Sequence, residues 1–302
     1  MSEAQWVLIP TYDTARAANV VALSAQAMRL GFRCAIICNS AATLGLIRAR
    51  APLGATVITQ GVNLGFGGSV NYAVQSLDVA GVMVIINDDA SVPDATLSAL
   101  RRALEEYDAV GVGGLNHIQS LKPLSLIARY SLLTAVLSQS SRYSGPVSGS
   151  PPDRLRLLAE SEKPPYACVG IQVSAFKAAG GFDPRFLLYF EDDALTHMLH
   201  RADCRVAILE AELLHKGGET SRKYPGHSLH CQASGLVRIL GVAYGWPTYL
   251  ATAAASIAGL ARSVLVLGAR THDWRERFRL SQASVLATLR LLTNRPPQLP
   301  PY

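Results

Sequence analysis

The chain has no stretch of roughly 20 uninterrupted apolar residues, the length a membrane-crossing helix needs. Its most apolar region, Gly235 to Ala269, is broken by Arg238, by Gly245-Trp246-Pro247 and by Arg262, and Tyr249 to Ala261 alone is too short. A secretory signal is also missing, since the N-terminus carries Glu3 and an apolar run of only Trp6 to Ile9. None of the five cysteines (Cys34, Cys38, Cys168, Cys204 and Cys231) forms a Cys-x-x-Cys pair, which removes the common zinc and dithiol motifs. With their odd number, this makes a reducing cytoplasm the expected location. Charge is sparse, at 17% of 302 residues, while 49% are hydrophobic, so the chain can fill a core and disorder is not expected. The net charge of +6 favours anionic ligands.

Short β-rich runs alternate with amphipathic stretches, a pattern that predicts an α/β fold with a mostly parallel sheet and helices on both faces. Strands are expected at Trp6 to Pro10, Arg33 to Cys38, Thr56 to Gln60, Val82 to Asn87 and Ala109 to Gly113. Helical periodicity covers Ala15 to Leu30, Gly67 to Leu77 and Pro93 to Tyr107, with Ser91 as the expected cap of the last. From Asn116 to Tyr166 the regularity is lost, and Ser138 to Asp153 reads as a loop or lid. A strand at Val169 to Ser174 and a helix at Asp192 to Ala202 follow. These boundaries divide the chain into a ligand-binding domain, residues 1–225, and a C-terminal helical region, residues 226–302. In the latter, Arg270, Arg275, Arg277, Arg279, Arg290 and Arg295 face only Asp273 and Glu276. Such a segment either lies on an anionic membrane surface or packs on the core with its arginines in water.

Ligands of a parallel sheet bind beyond the carboxyl ends of the strands, and polar residues end each expected strand. The Asn87-Asp88-Asp89 triplet follows the buried-type run Val82 to Ile86. Two adjacent carboxylates repel each other, and a divalent cation would relieve that repulsion and bridge to a diphosphate; a turn with a helix cap is the plainer reading. The run Asn63-Leu64-Gly65-Phe66-Gly67-Gly68-Ser69-Val70-Asn71 opens a helix whose free N–H groups suit an anion, with glycines that let a ligand approach the backbone. It is no Walker loop, because no Gly-Lys-Ser/Thr follows. Nor is it the dinucleotide fingerprint, because Val70 stands at the third glycine.

A third cluster, Gly180 to Asp193, ends in Glu191-Asp192-Asp193 after an aromatic and aliphatic stretch. A carboxylate at a helix start beside an apolar wall is a credible general base, although a solvated acidic helix end has the same signature. His197 and His200 share that helix but lack His-Glu-x-x-His spacing and read as a partly exposed face. Finally, His215 leaves a short apolar run and precedes Lys216-Gly217-Gly218, where it could complete a metal site.

In order, these segments resemble family 2 of the inverting glycosyltransferases with the GT-A fold, especially the rhamnosyltransferase-like branch. The similarity runs from about Trp6 to Ser221. It rests on Asn63-x-Gly65-Phe66-x-Gly68-x-x-Asn71, Asn87-x-Asp89, Gly181-Phe182-Asp183-x-x-Phe186-x-x-Tyr189-x-Glu191-Asp192, and His215. The resemblance implies a GT-A domain that takes a nucleotide-diphosphate sugar. It places Pro10, Tyr12, Asn39 and Asn63 around the base and ribose, with Gly68, Asn71, Asn87 and Asp88 also at the donor. It makes Asp89 the key carboxylate for a divalent cation (Mg2+ or Mn2+), with His215 a further ligand. Asp192 is the implied base, with Glu191 its neighbour. Cys38 stands where many relatives place an aspartate that reads the base, and Ala194 replaces a second aspartate. A glycan or lipid-linked acceptor is expected, with the enzyme peripheral on the inner face of the cell membrane. No nucleic-acid partner is expected, and nothing in the sequence speaks to oligomeric state. The rival readings are a non-catalytic nucleotide-binding scaffold and a sugar nucleotidyltransferase.

Overall fold

The structure is a computed structural model that describes residues 5–122 and 154–215, with Cys231, Gly235, Leu236, Arg238 and Ile239 beyond them. The chain begins with strand β1 (Gln5–Thr11), helix α1 (Ala17–Arg29), β2 (Arg33–Cys38), α2 (Ala41–Arg48), β3 (Thr56–Ile58) and α3 (Gly65–Ser76). It continues with β4 (Val82–Ile86), β5 (Ala90–Ser91), α4 (Asp94–Ala103), β6 (Ala109–Val112), β7 (Gln119–Ser120), β8 (Arg154–Leu157) and β9 (Glu162–Lys163). Then come β10 (Cys168–Gln172), α5 (Val173–Ala178), α6 (Glu191–Arg201), β11 (Val206–Glu210) and β12 (Leu214–His215).

Among the described residues, eight strands form one sheet in the order β3-β2-β1-β4-β10-β6-β11-β8. β3, β2, β1 and β4 pair in parallel, as do β6 and β11. β10 runs antiparallel to both β4 and β6, and β8 antiparallel to β11. The fold is therefore α/β around a mostly parallel sheet. Alternation along β4 shows how the two faces are filled: Val84 and Ile86 join Ile9, Val20, Leu23, Leu97 and Leu100 on one side, while Met83 and Ile85 join Leu8, Val70, Phe176 and Phe182 on the other. Burial of side chains of this size contributes about 1.5–3 kcal/mol each, so the residues that follow β4 hang from a rigid support.

The sheet order reverses between β2 and β4, on either side of β1, and a crevice opens there. β1 pairs with β2 through Thr11 but with β4 only as far as Leu8. Thr11 O accepts the Asn39 N–H on the β2 side, so Pro10, one residue earlier, turns its donor-less nitrogen toward β4, where pairing has already stopped. A proline in an inner strand is tolerated for that reason.

Several expectations need correction. Ser91 does not cap α4; it pairs with Leu214 in the β5–β12 ladder, and Pro93 occupies the cap position. The stretch 116–166 is not wholly irregular, because β8 extends the main sheet and β7 pairs with β9. Ser138 to Asp153 lies outside the described residues. Val173 and Ser174 begin α5 rather than ending a strand.

The described positions of the C-terminal region pack onto the domain. Leu236 and Ile239 form a small core with Phe186, Phe190 and Ala194. A Cβ at Gly235 would lie 2.8 Å from both Tyr189 O and Phe190 Cδ2, so only glycine allows this approach. Among the described residues no helix is long and apolar enough to cross a membrane. Arg270 to Arg295 lie outside them.

Candidate active site

The acidic triplet follows β4 at the crevice beside β1. Asp88 directs Oδ2 to the Thr11 hydroxyl, which donates at 2.8 Å, and Asn19 Nδ2 donates to the Asp88 and Ala90 carbonyls at 2.8 and 2.9 Å. Burial pushes the Asp88 carboxyl up to about 6; the neighbouring Asp89 charge adds to the rise, and the Thr11 hydrogen bond and Arg16 oppose it. Asp88 thus joins the two strands that flank the crevice.

Asp89 faces the other way. The β5–β12 ladder sets His215 opposite Ala90, which brings His215 Nε2 to 3.0 Å from Asp89 Oδ1 and 3.3 Å from Asn87 Nδ2. Burial would raise the Asp89 carboxyl, but the His215 contact and the Arg16 charge outweigh it and hold the group below its ordinary value.

This donor set fits a divalent cation. Asn87 Oδ1 is buried and has no hydrogen-bond partner among the described residues. A neutral imidazole Nε2 carries either a proton or a lone pair, so it cannot both donate to Asp89 and accept from Asn87. Exchanging the two ends of the Asn87 amide would direct an oxygen, a carboxylate and an imidazole lone pair at one ion and remove the conflict. Among the described residues no three His, Cys, Asp or Glu side chains converge.

At the end of β2, Asn39 Oδ1 accepts from Ser69 Oγ at 2.8 Å and from the Leu64 N–H at 3.4 Å, tying β2 to the start of α3. Asn63 Oδ1 accepts the Gly65 N–H at 2.9 Å. The Tyr12 carbonyl accepts from Ser40 and Thr43, and its side chain is half-buried, whereas Pro10 is buried in β1. The glycines behave differently from expectation. Gly65 has φ +71°, and a Cβ on it would lie 2.0 Å from the Leu187 carbonyl oxygen; one on Gly67 would lie 2.7 Å from Phe182 Cβ. These two positions admit the protein's own 182–187 segment rather than a ligand, and a Cβ on Gly68 would meet only Leu64 Cβ, at 3.0 Å. Asn71 completes the same joint. Its Nδ2 donates to the Phe182 carbonyl at 2.7 Å and its Oδ1 accepts the Phe182 N–H at 3.0 Å.

That segment leads into Tyr189 and Phe190, both left-handed with φ of 68° and 66°. Side chains avoid this conformation at a cost of about 1–3 kcal/mol each, and the turn ends at the first residue of α6. Asp192 Oδ1 accepts the Asp193 N–H at 3.0 Å, and its Oδ2 accepts from Lys163 Nζ, which also donates to Asp193 Oδ2 at 3.0 Å. Lys163 and Asp193 are buried, whereas Asp192 remains 24% exposed at the side chain and is the carboxylate an incoming hydroxyl could reach. His197 and His200 are both half-buried, as the partly exposed face predicts, and His200 Nε2 contacts the Glu162 carbonyl at 2.9 Å, which ties α6 to β9.

Both acidic segments lie at one edge of the sheet. β10 starts beside the end of β4, with Cys168 opposite Ile86 and the Asn87 N–H on the Ala167 carbonyl at 2.9 Å. The hydroxyl of the preceding Tyr166 lies 2.9 Å from the Thr196 hydroxyl of α6, and Thr196 Oγ donates to the Asp192 carbonyl at 2.8 Å. Sequence patterns assign no role to Arg16, Asn19, Lys163 or Tyr166, and mark Thr11 only as a polar residue at the end of the first strand. Lys163 lies in the stretch that reads as irregular, and its one cue is the Pro164-Pro165 pair behind it.

Glu191 is buried, and its Oε2 has no hydrogen-bond partner among the described residues. Burial, with the Asp192 charge adding, pushes the carboxyl up to about 8 from an ordinary 4.5. Because the folded value is the higher one, its contribution to stability is complete below about pH 4.5, declines as pH rises, and is gone above about pH 8. Glu191→Gln should remove that decline, so its melting temperature relative to wild type rises between pH 5 and pH 8. Parallel melting curves for the two proteins across that range would contradict the assignment.

No protein-family profile matches the chain, and no curated protein matches it in sequence. Solved structures similar to it include S. aureus TarS 1-349, at 10% identity and a TM-score of 0.47, covering 97% of this chain and 92% of that one. A second S. aureus TarS structure has 13% identity and a TM-score of 0.46, with 80% of this chain and 42% of that one covered. A UDP-glucose pyrophosphorylase complexed with UDP-glucose has 11% identity and a TM-score of 0.40, covering 69% of this chain and 91% of that one.

Proposed function

We propose that the chain is an inverting glycosyltransferase of the GT-A type, which moves a sugar from a nucleoside-diphosphate sugar to an acceptor hydroxyl. The observation that carries this reading is the pairing of two acidic segments at one sheet edge. One is built around Asp89, His215 and the orphaned Asn87 oxygen; the other presents Asp192 at a helix start. A divalent cation held by Asp89 and His215, with Asn87, would supply the charge neutralisation that lets a nucleoside diphosphate leave without a proton.

One base then suffices. Asp192 takes the proton of the acceptor hydroxyl as that oxygen attacks the anomeric carbon from the face opposite the diphosphate, which inverts the configuration. Asp88 and Thr11 hold the crevice in register, and Arg16 adds positive charge near both carboxylates of the triplet. The apolar Gly235 to Ala269 stretch and the arginines that follow it supply the further expectation of a glycan or lipid-linked acceptor at the inner face of the membrane.

A thermal-shift panel of UDP, dTDP and GDP, each with and without Mn2+, tests the donor site. The matching nucleotide should stabilise the protein by about 2.7 kcal/mol at a hundredfold excess over Kd, and removing Mn2+ should abolish most of the shift. Incubation with UDP-glucose, dTDP-rhamnose and GDP-mannose should then release nucleoside diphosphate slowly, as the sugar passes to water in place of the acceptor hydroxyl. Release of pyrophosphate from a nucleoside triphosphate supplied with a sugar 1-phosphate would instead identify a nucleotidyltransferase, and binding without turnover would identify a scaffold.

A further inference from the structure

Lys163 is 3% exposed, yet it carries a charge that burial disfavours unless partners surround it. Its ammonium has three donors; two go to Oδ2 of Asp192 and Oδ2 of Asp193, and it lies 5.8 Å from the centre of the Tyr166 ring. The Tyr166 hydroxyl in turn contacts the Thr196 hydroxyl, which donates to the Asp192 carbonyl. The backbone of Lys163 is held just as firmly. It pairs with Gln119 in the β7–β9 ladder, and the following Pro164 seats against Gly111 of β6, where a Cβ would lie 2.4 Å from Pro164 Cβ.

If the lysine only neutralised the buried Asp193, contact with Asp193 would be enough. Instead its ammonium bridges the two acids, and the Asp193 N–H holds the other Asp192 oxygen. One contact on each oxygen fixes the plane of the Asp192 carboxylate and leaves one lone pair of each oxygen for other partners. We infer that Lys163 is a positioning residue, which aligns the Asp192 carboxylate with the acceptor hydroxyl from a rigid support on the central sheet. The inference rests on the reading of Asp192 as base.

The test measures nucleoside diphosphate released from UDP-glucose, dTDP-rhamnose and GDP-mannose with Mn2+ by wild type, Lys163→Met, Asp192→Asn and the Lys163→Met/Asp192→Asn double variant. A mispositioned base should lower kcat by about 10- to 100-fold while donor KM stays within about twofold of wild type. In the Asp192→Asn background the lysine change should lower kcat no further, because both changes remove the same function. Should Lys163→Met fail to fold, Lys163→Met/Asp193→Asn removes the buried imbalance, is compared with Asp193→Asn alone, and is expected to show the same drop. Wild-type kcat in the lysine variant, a change confined to KM, or an equal further loss in the Asp192→Asn background would each overturn the positioning role. Wild-type release by Asp192→Asn, or no release from any of the three donors by wild type, would instead overturn the parent reading.

Discussion

Asp192→Asn should lower turnover by about 10²- to 10⁴-fold, the range that general base catalysis contributes. The substitution is nearly isosteric. The asparagine oxygen can still accept from Lys163 or from the Asp193 N–H, the contacts that hold Asp192 now. α6 keeps Glu191 and Asp193 in its first turn, so the helix start and its packing should persist. What disappears is the capacity to take a proton. Donor KM should therefore stay near wild type while kcat falls, and nucleotide-induced stabilisation in the thermal-shift panel should be unchanged. Release of nucleoside diphosphate at the wild-type rate would remove Asp192 from the mechanism.

The second large effect is on stability. Gly65→Ala places a methyl group 2.0 Å from the Leu187 carbonyl oxygen and 2.9 Å from its carbon, at a backbone φ of +71°. The left-handed conformation costs an alanine about 1–2 kcal/mol, and the clash with backbone adds about 1–3 kcal/mol as in overpacked cores. A loss of about 2–5 kcal/mol corresponds to a drop in Tm of roughly 5–15 °C for a domain of this size. Gly68→Ala is the contrast. Its Cβ would meet only Leu64 Cβ, at 3.0 Å, and φ there is ordinary, so its effect on Tm should be far smaller. Because Leu187 leads into the strained Tyr189-Phe190 turn and then Asp192, the Gly65 variant should also lose activity at temperatures where it remains folded. Equal melting temperatures for the two alanine variants would show that the 182–187 segment does not seat on α3 in this way.

The rigid half of the site is legible in the sequence because its cause is local. Val82 to Ile86 reads as a strand buried on both faces, and Asn87-Asp88-Asp89 follows it at the edge where ligands bind; the structure has both. The same holds for the helix starts at Gly65 and Glu191, which composition and turn residues mark within one or two positions. Strand direction and pairing are another matter. The run Val169 to Ser174 reads as a strand, but the antiparallel place of Cys168–Gln172 between β4 and β6 depends on partners 58 to 90 residues away.

The division between local and distant causes also separates the functional residues. Periodicity and turn chemistry mark Asp89 and Asp192 as carboxylates at element ends, since a chain of two or three neighbours decides that. Whether a carboxylate faces a histidine or a hydroxyl, or is bridged by a lysine, is decided by side chains distant in the chain: His215 for Asp89, Thr11 for Asp88, Lys163 for Asp192. The burial that raises Glu191 and leaves Asp192 partly open arises in the same way. Desolvation depends on everything packed around a group, which is a property of the folded chain and not of its neighbours in sequence.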